Sequence, residues 1–269
     1  MKNLKEIKQE SISSSALKEA AKSLRHLVHY KNKPKETKGH FDFGNACELY
    51  FIDQDAFYRD VAVFDDSEVC NELISTSSKS PRATNVYKDW KAKFDKENEG
   101  KYIIPFDGVD SFDVIVKCYE LFKQHEFAQA VCSGNYQDPF EWTDEKTGLK
   151  RYARTDIFNE PLNFITDLKT DHSGDFEKAC NNMDYFLQAF DQIEGAVQSG
   201  KMMQVEHYYW LVITKTPPYA VDVYELDLDS LLKVEEKYRS TLHTIANTDF
   251  CPVWIKGEYN IIKPANWYK

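Results

Sequence analysis

The stretch ARTDIFNEPLNFITDLKT, residues 153–170, carries the reading of the chain. Apolar and polar residues alternate on both sides of Asn159-Glu160-Pro161, the pattern of two half-buried strands joined by a tight turn. Pro161 belongs in that turn because proline cannot donate to a ladder. A turn centred on Pro161-Leu162 sets Asp156 directly opposite Asp167. Side chains so paired lie about 4.5–5.5 Å apart at Cβ, and like charges there destabilise a sheet unless something positive stands between them. A hydrated cation meets that need. On the second arm Asp167 and Lys169 are two apart and share a face, while Leu168 points to the other. Two carboxylates and an ammonium thus meet on one face of a hairpin. A hard divalent cation such as Mg²⁺ binds through one or two carboxylates, keeps several waters and takes phosphate oxygens. Such an ion acidifies its bound water and offsets charge building at phosphorus, while a nearby lysine orients or deprotonates the nucleophile. The plainer alternative is a solvated strand face, because Asp and Lys are frequent in a chain with 29% charged residues.

A chain of 269 residues with 42% hydrophobic content can bury a sizeable core. No Pro/Gly/Ser-rich linker divides it, so one domain over residues 1–269 is expected. The net charge of −10 argues against coating nucleic acid or an anionic membrane through the bulk field, and leaves a local basic groove open. Six scattered cysteines form no CxxC pair, and no His stands at zinc-finger spacing, so neither structural zinc nor a disulfide framework is signalled. Reduced thiols in a cytoplasmic protein fit that usage. MKNLKEIKQESISSS lacks an apolar signal core, and no segment approaches the ~20 apolar residues of a membrane span. A soluble, intracellular protein is the expectation. The GxxxxGK[ST], GxGxxG and HExxH patterns are missing, which removes support for nucleotide-binding and zincin readings.

Along the chain, Ser13-Ser14-Ser15 offers helix N-caps, and Leu17, Ala20, Ala21, Leu24, Leu27 and Val28 follow at helical spacing. FDFGNACELYFIDQDAFYRDVAVF reads as a helix running into a strand. From Asp65 to Gly108 the pattern weakens, as in a mobile or peripheral insertion, and SKSPRATNVYKDWKAKF within it is basic with aromatics interleaved. Tyr87, Trp90 and the pair Trp267-Tyr268 are candidates to stack on splayed bases. Residues 110–131 read as a helix, 136–169 as a strand-rich block, and 175–197 as one long amphipathic helix. Strands in HYYWLVITK and YAVDVYELD precede the helix SLLKVEEKYRSTLHTIA. The order implies a mixed α/β domain whose sheet is covered by helices.

The text WTDEKTGLKRYARTDIF…FITDLKT, followed by YFLQAF, resembles the PD-(D/E)xK nuclease superfamily, most closely its exonuclease VIII (RecE-like) prophage branch. Four pieces stand in that branch's order: Trp142 to Leu149, Arg154 to Asp156, Asp167 to Lys169, and Tyr185 to Gln188. The segments ISSSALKEAAKS, FGNACELYFIDQDAF, KTPPYAVDVYELD and CPVWIKGEYNIIKPANWYK extend the likeness over nearly the whole chain. The resemblance implies a restriction-endonuclease-like α/β fold with a central mixed sheet. It implies Mg²⁺ or Mn²⁺ held by Asp156, Asp167 and the Leu168 carbonyl, with Lys169 positioning the attacking water. Gln188 would steady that water or a phosphate, and Arg154 and Tyr185 would meet DNA. The implied activity is 5′-to-3′ exonuclease digestion of linear duplex ends, feeding an annealing recombinase, with an oligomeric ring around the duplex.

Two positions depart from the branch. Its second helix carries a metal-binding His three residues after the glycine, where this chain has Cys47 after Gly44, and a thiol suits softer metals than Mg²⁺. The strand before the W-x-D turn carries a Glu ligand, where this chain has Gln137, whose amide oxygen can still coordinate the cation without bringing charge. His40 and Glu48 are near in sequence but out of register. The rivals are a weakened DNA-binding accessory protein of the same fold and an endonuclease of the superfamily.

Overall fold

The structure is a computed structural model that describes residues 2–34, 39–75 and 79–249. Ten strands run β1 (Ile12–Ser13), β2 (Val61–Phe64), β3 (Tyr102–Pro105), β4 (Asn135–Tyr136), β5 (Pro139–Thr143), β6 (Lys150–Arg154), β7 (Ile157–Asn159), β8 (Phe164–Asp171), β9 (His207–Thr214) and β10 (Ala220–Glu225). Five form the central sheet in the order β10-β9-β8-β7-β4, and three form a smaller one, β1-β6-β5. In the central sheet β8 and β9 are parallel and the other pairs antiparallel, so it is the mixed sheet expected.

The hairpin has the register anticipated. Ile157 pairs with Thr166 and Phe158 with Ile165, and one further step in that register sets Asp156 opposite Asp167. The same arithmetic on the β4–β7 and β5–β6 pairs puts Gln137 opposite Asp156. Here the ladder breaks. Gln137 takes a left-handed backbone with φ of 50° while its N–H still donates to the Asp156 carbonyl at 3.0 Å. It therefore lies between two short strands and not within one, as the sequence had suggested. Past this break the chain leaves the central sheet and β5 and β6 belong to the smaller one, so Asp156 sits where two sheets diverge.

Both faces of the central sheet are covered. Tyr208, Trp210 and Val212 of β9 pack with helices Ser14–Lys22, Phe176–Asn182, Tyr185–Gln198 and Leu232–Asn247. Tyr209, Leu211 and Ile213, their alternates, pack with helices Gly39–Ile52, Gln54–Asp60, Phe112–Phe122 and Glu126–Val131. This is why HYYWLVIT reads as a continuous apolar run, the mark of a strand buried on both sides.

Four expected helices are broken in two, the one read from FDFGNACELYFIDQDAF at Asp53, which caps Gln54–Asp60. Ser23, fully extended, ends one helix and caps the next, accepting from the His26 N–H at 3.3 Å. Residues 123–125 separate Phe112–Phe122 from Glu126–Val131. Asp184, left-handed with φ of 56°, ends Phe176–Asn182 and lets Tyr185 open a new helix; its carboxylate pairs with Lys237 at 2.6 Å. The 65–108 stretch holds helices Ser67–Ser75 and Asn85–Glu97, and β3, which lies parallel to β2. Its aromatics are not a base-stacking platform. Tyr87 is buried, and Trp90 packs on Tyr87 and Phe64 at 5.7 Å in each case, closing a small core of that unit. Trp267-Tyr268, like the resemblance drawn from CPVWIKGEYNIIKPANWYK, lies outside the described residues.

The smaller sheet is tied to the Tyr185–Gln198 helix by an ion pair, Arg151 to Asp191 at 2.5 Å, with neither side chain exposed. The helix comes so close that a Cβ on Gly195 would stand 2.7 Å from the Trp142 ring. Removing one partner of a buried pair leaves an uncompensated charge, which costs about 3–5 kcal/mol. Asp191→Leu should therefore lower the thermal midpoint by roughly 2–4 °C per kcal/mol lost. Arg151→Met/Asp191→Leu together should recover most of that loss, as read by thermal unfolding.

Candidate active site

Where the two sheets diverge, an open cleft of about 630 Å³ is lined by both Asp156 and Asp167, with Glu48, Lys18, Arg154, Lys169, Tyr185 and Gln188 around them. Asp156 arrives from the break between β6 and β7, and its Oδ2 accepts the Leu168 N–H at 2.7 Å. Asp167 and Lys169, both on β8, share a face, and their side chains form an ion pair through Asp167 Oδ2. Asp167 is only 2% exposed. Its Oδ1 accepts from the Gln188 amide at 3.0 Å and from Gln192 at 3.4 Å, while buried Oδ2 is held by the Lys169 ammonium. The Tyr185 ring lies between two amines, with Lys169 Nζ 5.0 Å and Lys18 Nζ 5.5 Å from its centre.

Of the residues singled out from the sequence, Asp156, Asp167, Leu168, Lys169, Gln188, Arg154 and Tyr185 all line this cleft. Gln188 does so with its amide engaged at both ends: Nε2 donates to Asp167, and Oε1 accepts from Lys18 at 2.9 Å. It is built to hold a carboxylate more than to reach for water. Gln137 does not line the cleft. Its amide donates to Glu48 Oε1 at 2.7 Å. Cys47 is fully buried with Phe43, Ala46 and Tyr50 against the sheet, and burial pushes its thiol well above the usual range.

Glu48 is the residue the sequence register missed. On the Gly39–Ile52 helix, Gly44, Asn45 and Glu48 face the cleft, one turn apart, while Cys47 belongs to the stripe that faces the core. The available signal was the i, i+4 spacing from Gly44, which the expected three-residue offset masked. The chain thus brings a third carboxylate to the site from the helix, with Gln137 as its amide partner.

Charge in this cleft is under strain. Burial pushes the Asp156 carboxyl well above its usual range, and the neighbouring Glu48 and Asp167 push it further. Glu48 is also raised by burial, a shift that Arg154 opposes. Lys169 loses water to burial, yet Asp167 and Asp156 hold its ammonium above the ordinary lysine range. For Lys18, burial together with the Lys169 charge outweighs the pull of Asp167 and Asp184 and brings it down to about 8. A divalent cation fits this donor set: the ligands are hard oxygens, they repel one another, and Asp167 Oδ2, beside the Lys169 ammonium, keeps a second lone pair. Among the described residues no three His, Cys, Asp or Glu side chains form a ready-made cage. The site is open, of the kind completed by water and phosphate oxygens.

Among solved structures, a putative exonuclease from Eubacterium rectale superimposes with a TM-score of 0.60 at 14% identity, over 92% of this chain and 85% of that one. The structure of SSO0001 aligns far more loosely, with a TM-score of 0.27 at 12% identity over 77% of this chain and 88% of that one. No curated protein matches the sequence. No helix among the described residues is long and apolar enough to cross a membrane. Residues 13–253 match a family across both sheets and every residue of the cleft, and the chain belongs to that family, the PDDEXK-like domain of unknown function (DUF3799).

Proposed function

We propose that this chain is a divalent-metal-dependent deoxyribonuclease acting on linear duplex DNA from its ends. The observation that carries the reading is Asp156 and Asp167 at one level of adjacent strands with Lys169 beside them, in an open cleft. Asp156, Asp167 and Glu48 would hold Mg²⁺ or Mn²⁺, with the Leu168 carbonyl as the main-chain ligand and Gln137 steadying Glu48. The bound ion supplies an acidified water and offsets charge on the phosphorane-like transition state. Lys169, held protonated by the two aspartates, orients the attacking water and donates toward the phosphate. Arg154 is exposed at the cleft and meets the DNA backbone, and Tyr185 gives the strand an apolar face beside the two amines. The name of the structural neighbour, an exonuclease, supports an end-dependent action. A 5′-to-3′ polarity, a ring-shaped oligomer and an annealing recombinase as partner complete the same reading and rest on the RecE-like resemblance, while a cytoplasmic, single-domain protein rests on the cysteine usage and the lack of a linker.

Digestion of linear duplex DNA in Mg²⁺ or Mn²⁺ tests it. Lys169→Ala should lose about 10²–10⁴-fold in rate, the usual worth of a positioned proton-handling group, while still binding DNA. Closed circular DNA should resist the wild type, and cutting of the circle would make it an endonuclease instead. Binding without cleavage by the wild type in either metal would replace the enzyme with an accessory DNA-binding protein.

The crowded carboxylates predict a second outcome. A carboxyl whose folded pKa lies above its unfolded one binds more protons when folded, so stability is present at low pH and lost as pH rises through the folded value. Asp156→Asn should therefore raise the metal-free thermal midpoint by a few degrees at pH 8 and change it little at pH 4. Mg²⁺ should raise the midpoint of the wild type by binding only the folded state, and the same addition should leave Asp156→Asn nearly unmoved.

A further inference from the structure

Behind Asp167 lies a buried polar relay that no part of the D-x-K pattern requires. Gln192, one turn beyond Gln188, is 1% exposed and makes every hydrogen bond its amide allows in one direction. Its Nε2 donates to the Arg154 carbonyl at 2.9 Å and to Asp167 Oδ1 at 3.4 Å. Its Oε1 accepts from the Tyr208 hydroxyl at 2.5 Å. Tyr208, on β9, is fully buried in the apolar cluster beneath the helix, and this is the hydrogen bond its hydroxyl makes. A hydroxyl that donates fixes which end of the amide is oxygen. Were Gln192 flipped, its oxygen would face both a carboxylate and a carbonyl, two acceptor-to-acceptor contacts in a dry interior, where each unmade bond costs about 1–3 kcal/mol.

We infer that Gln192 and Tyr208 are positioning residues for the metal ligand Asp167: Gln192, held by Tyr208, joins Gln188 in saturating Oδ1, which leaves Oδ2, the oxygen beside the Lys169 ammonium, for the cation. The inference rests on the proposed metal-dependent reading of the cleft. Saturating one oxygen with two amide donors turns a carboxylate that could chelate through both oxygens into a single-oxygen ligand, and leaves the other coordination positions to water and phosphate. The relay also ties the Arg154 carbonyl at the end of β6 to Asp167 on β8, across the point where the sheets part. The spacing between Asp156 and Asp167 is held from behind, by groups that touch neither DNA nor ion.

Outer partners of metal ligands are typically worth about 10–100-fold in metal affinity or activity. Mn²⁺ binding to the full chain by isothermal titration calorimetry, without DNA, gives a readout apart from turnover. Tyr208→Phe removes one oxygen from an apolar surround, and it should weaken Mn²⁺ about 10-fold while its DNA affinity in EDTA stays that of the wild type. Gln192→Leu, which removes both donations, should weaken Mn²⁺ at least as much. Raising Mn²⁺ should restore most of the cleavage rate of Tyr208→Phe, with the KM for DNA unchanged. If Tyr208→Phe does not fold, Gln192→Leu decides the matter alone, and Gln192→Glu gives a further check, since a carboxylate there should repel Asp167 and weaken Mn²⁺ more than leucine does. Wild-type affinity in the folded variants overturns the relay and leaves the nuclease reading standing. A wild type that binds no Mn²⁺ overturns both.

Discussion

The constraint on which the structure turns is the gathering of like charge. Asp156, Asp167 and Glu48 come to one cleft from a strand break, a central strand and a helix, and each carboxylate raises the cost of ionising Asp156. Such a cluster is stable in a folded chain only if donors and cations are fixed around it. The fold supplies them from three directions: the Leu168 N–H to Asp156, the Gln137 amide to Glu48, and the Lys169 ammonium with two glutamine amides to Asp167. One hydrogen bond reaches Asp156 and one reaches Glu48, whereas Asp167 receives two and an ion pair. The deficit lies on the side of Asp156 and Glu48, which is where a cation gains most.

That deficit explains the geometry of the sheets. A continuous ladder through Gln137, Asp156 and Asp167 would seat the two carboxylates side by side on one paired surface. Breaking the ladder at Gln137, at the expense of a left-handed residue, lets β6 swing into the smaller sheet and opens the face of Asp156. A strained non-glycine backbone of this kind costs of order 1–3 kcal/mol and survives where its surroundings over-determine it. Here the N–H bond to the Asp156 carbonyl and the amide bond to Glu48 do so. The buried Arg151–Asp191 pair then fixes the smaller sheet to the helix that carries Gln188 and Gln192.

Most of this was legible where a short-range rule governs it. Period-two alternation and the position of Pro161 set the hairpin register, so Asp156, Asp167 and Lys169 could be placed from the sequence alone. The apolar run of β9 announced a strand covered on both faces. What escaped was set by tertiary context. Nothing local distinguishes Asp184 or Gln137 as left-handed, because each is held there by groups far along the chain, Lys237 and Glu48 respectively. Glu48 escaped for another reason: a pattern that counts three residues from Gly44 lands on Cys47, whose side of the helix faces the core. Tyr87 and Trp90 looked like stacking surfaces because the small aromatic core they form with Phe64 and Phe94 has the same composition as a basic aromatic patch.

The two departures from the resembled pattern are therefore one substitution of roles. Taken singly, Cys47 for a histidine and Gln137 for a glutamate subtract a ligand and a charge. Taken together in space, the acid has moved from the strand to the helix, and the strand position keeps an amide that binds it. Counting Glu48, the cleft then holds three carboxylates, as many as the resembled pattern. A glutamate side chain is long and mobile, so its hydrogen-bond partner matters. Gln137 answers that need with a bond at 2.7 Å, and its left-handed backbone is what aims the amide at the helix. An imidazole is neutral when it ligates, whereas Glu48 brings charge. Carboxylate oxygens suit hard cations better than soft ones.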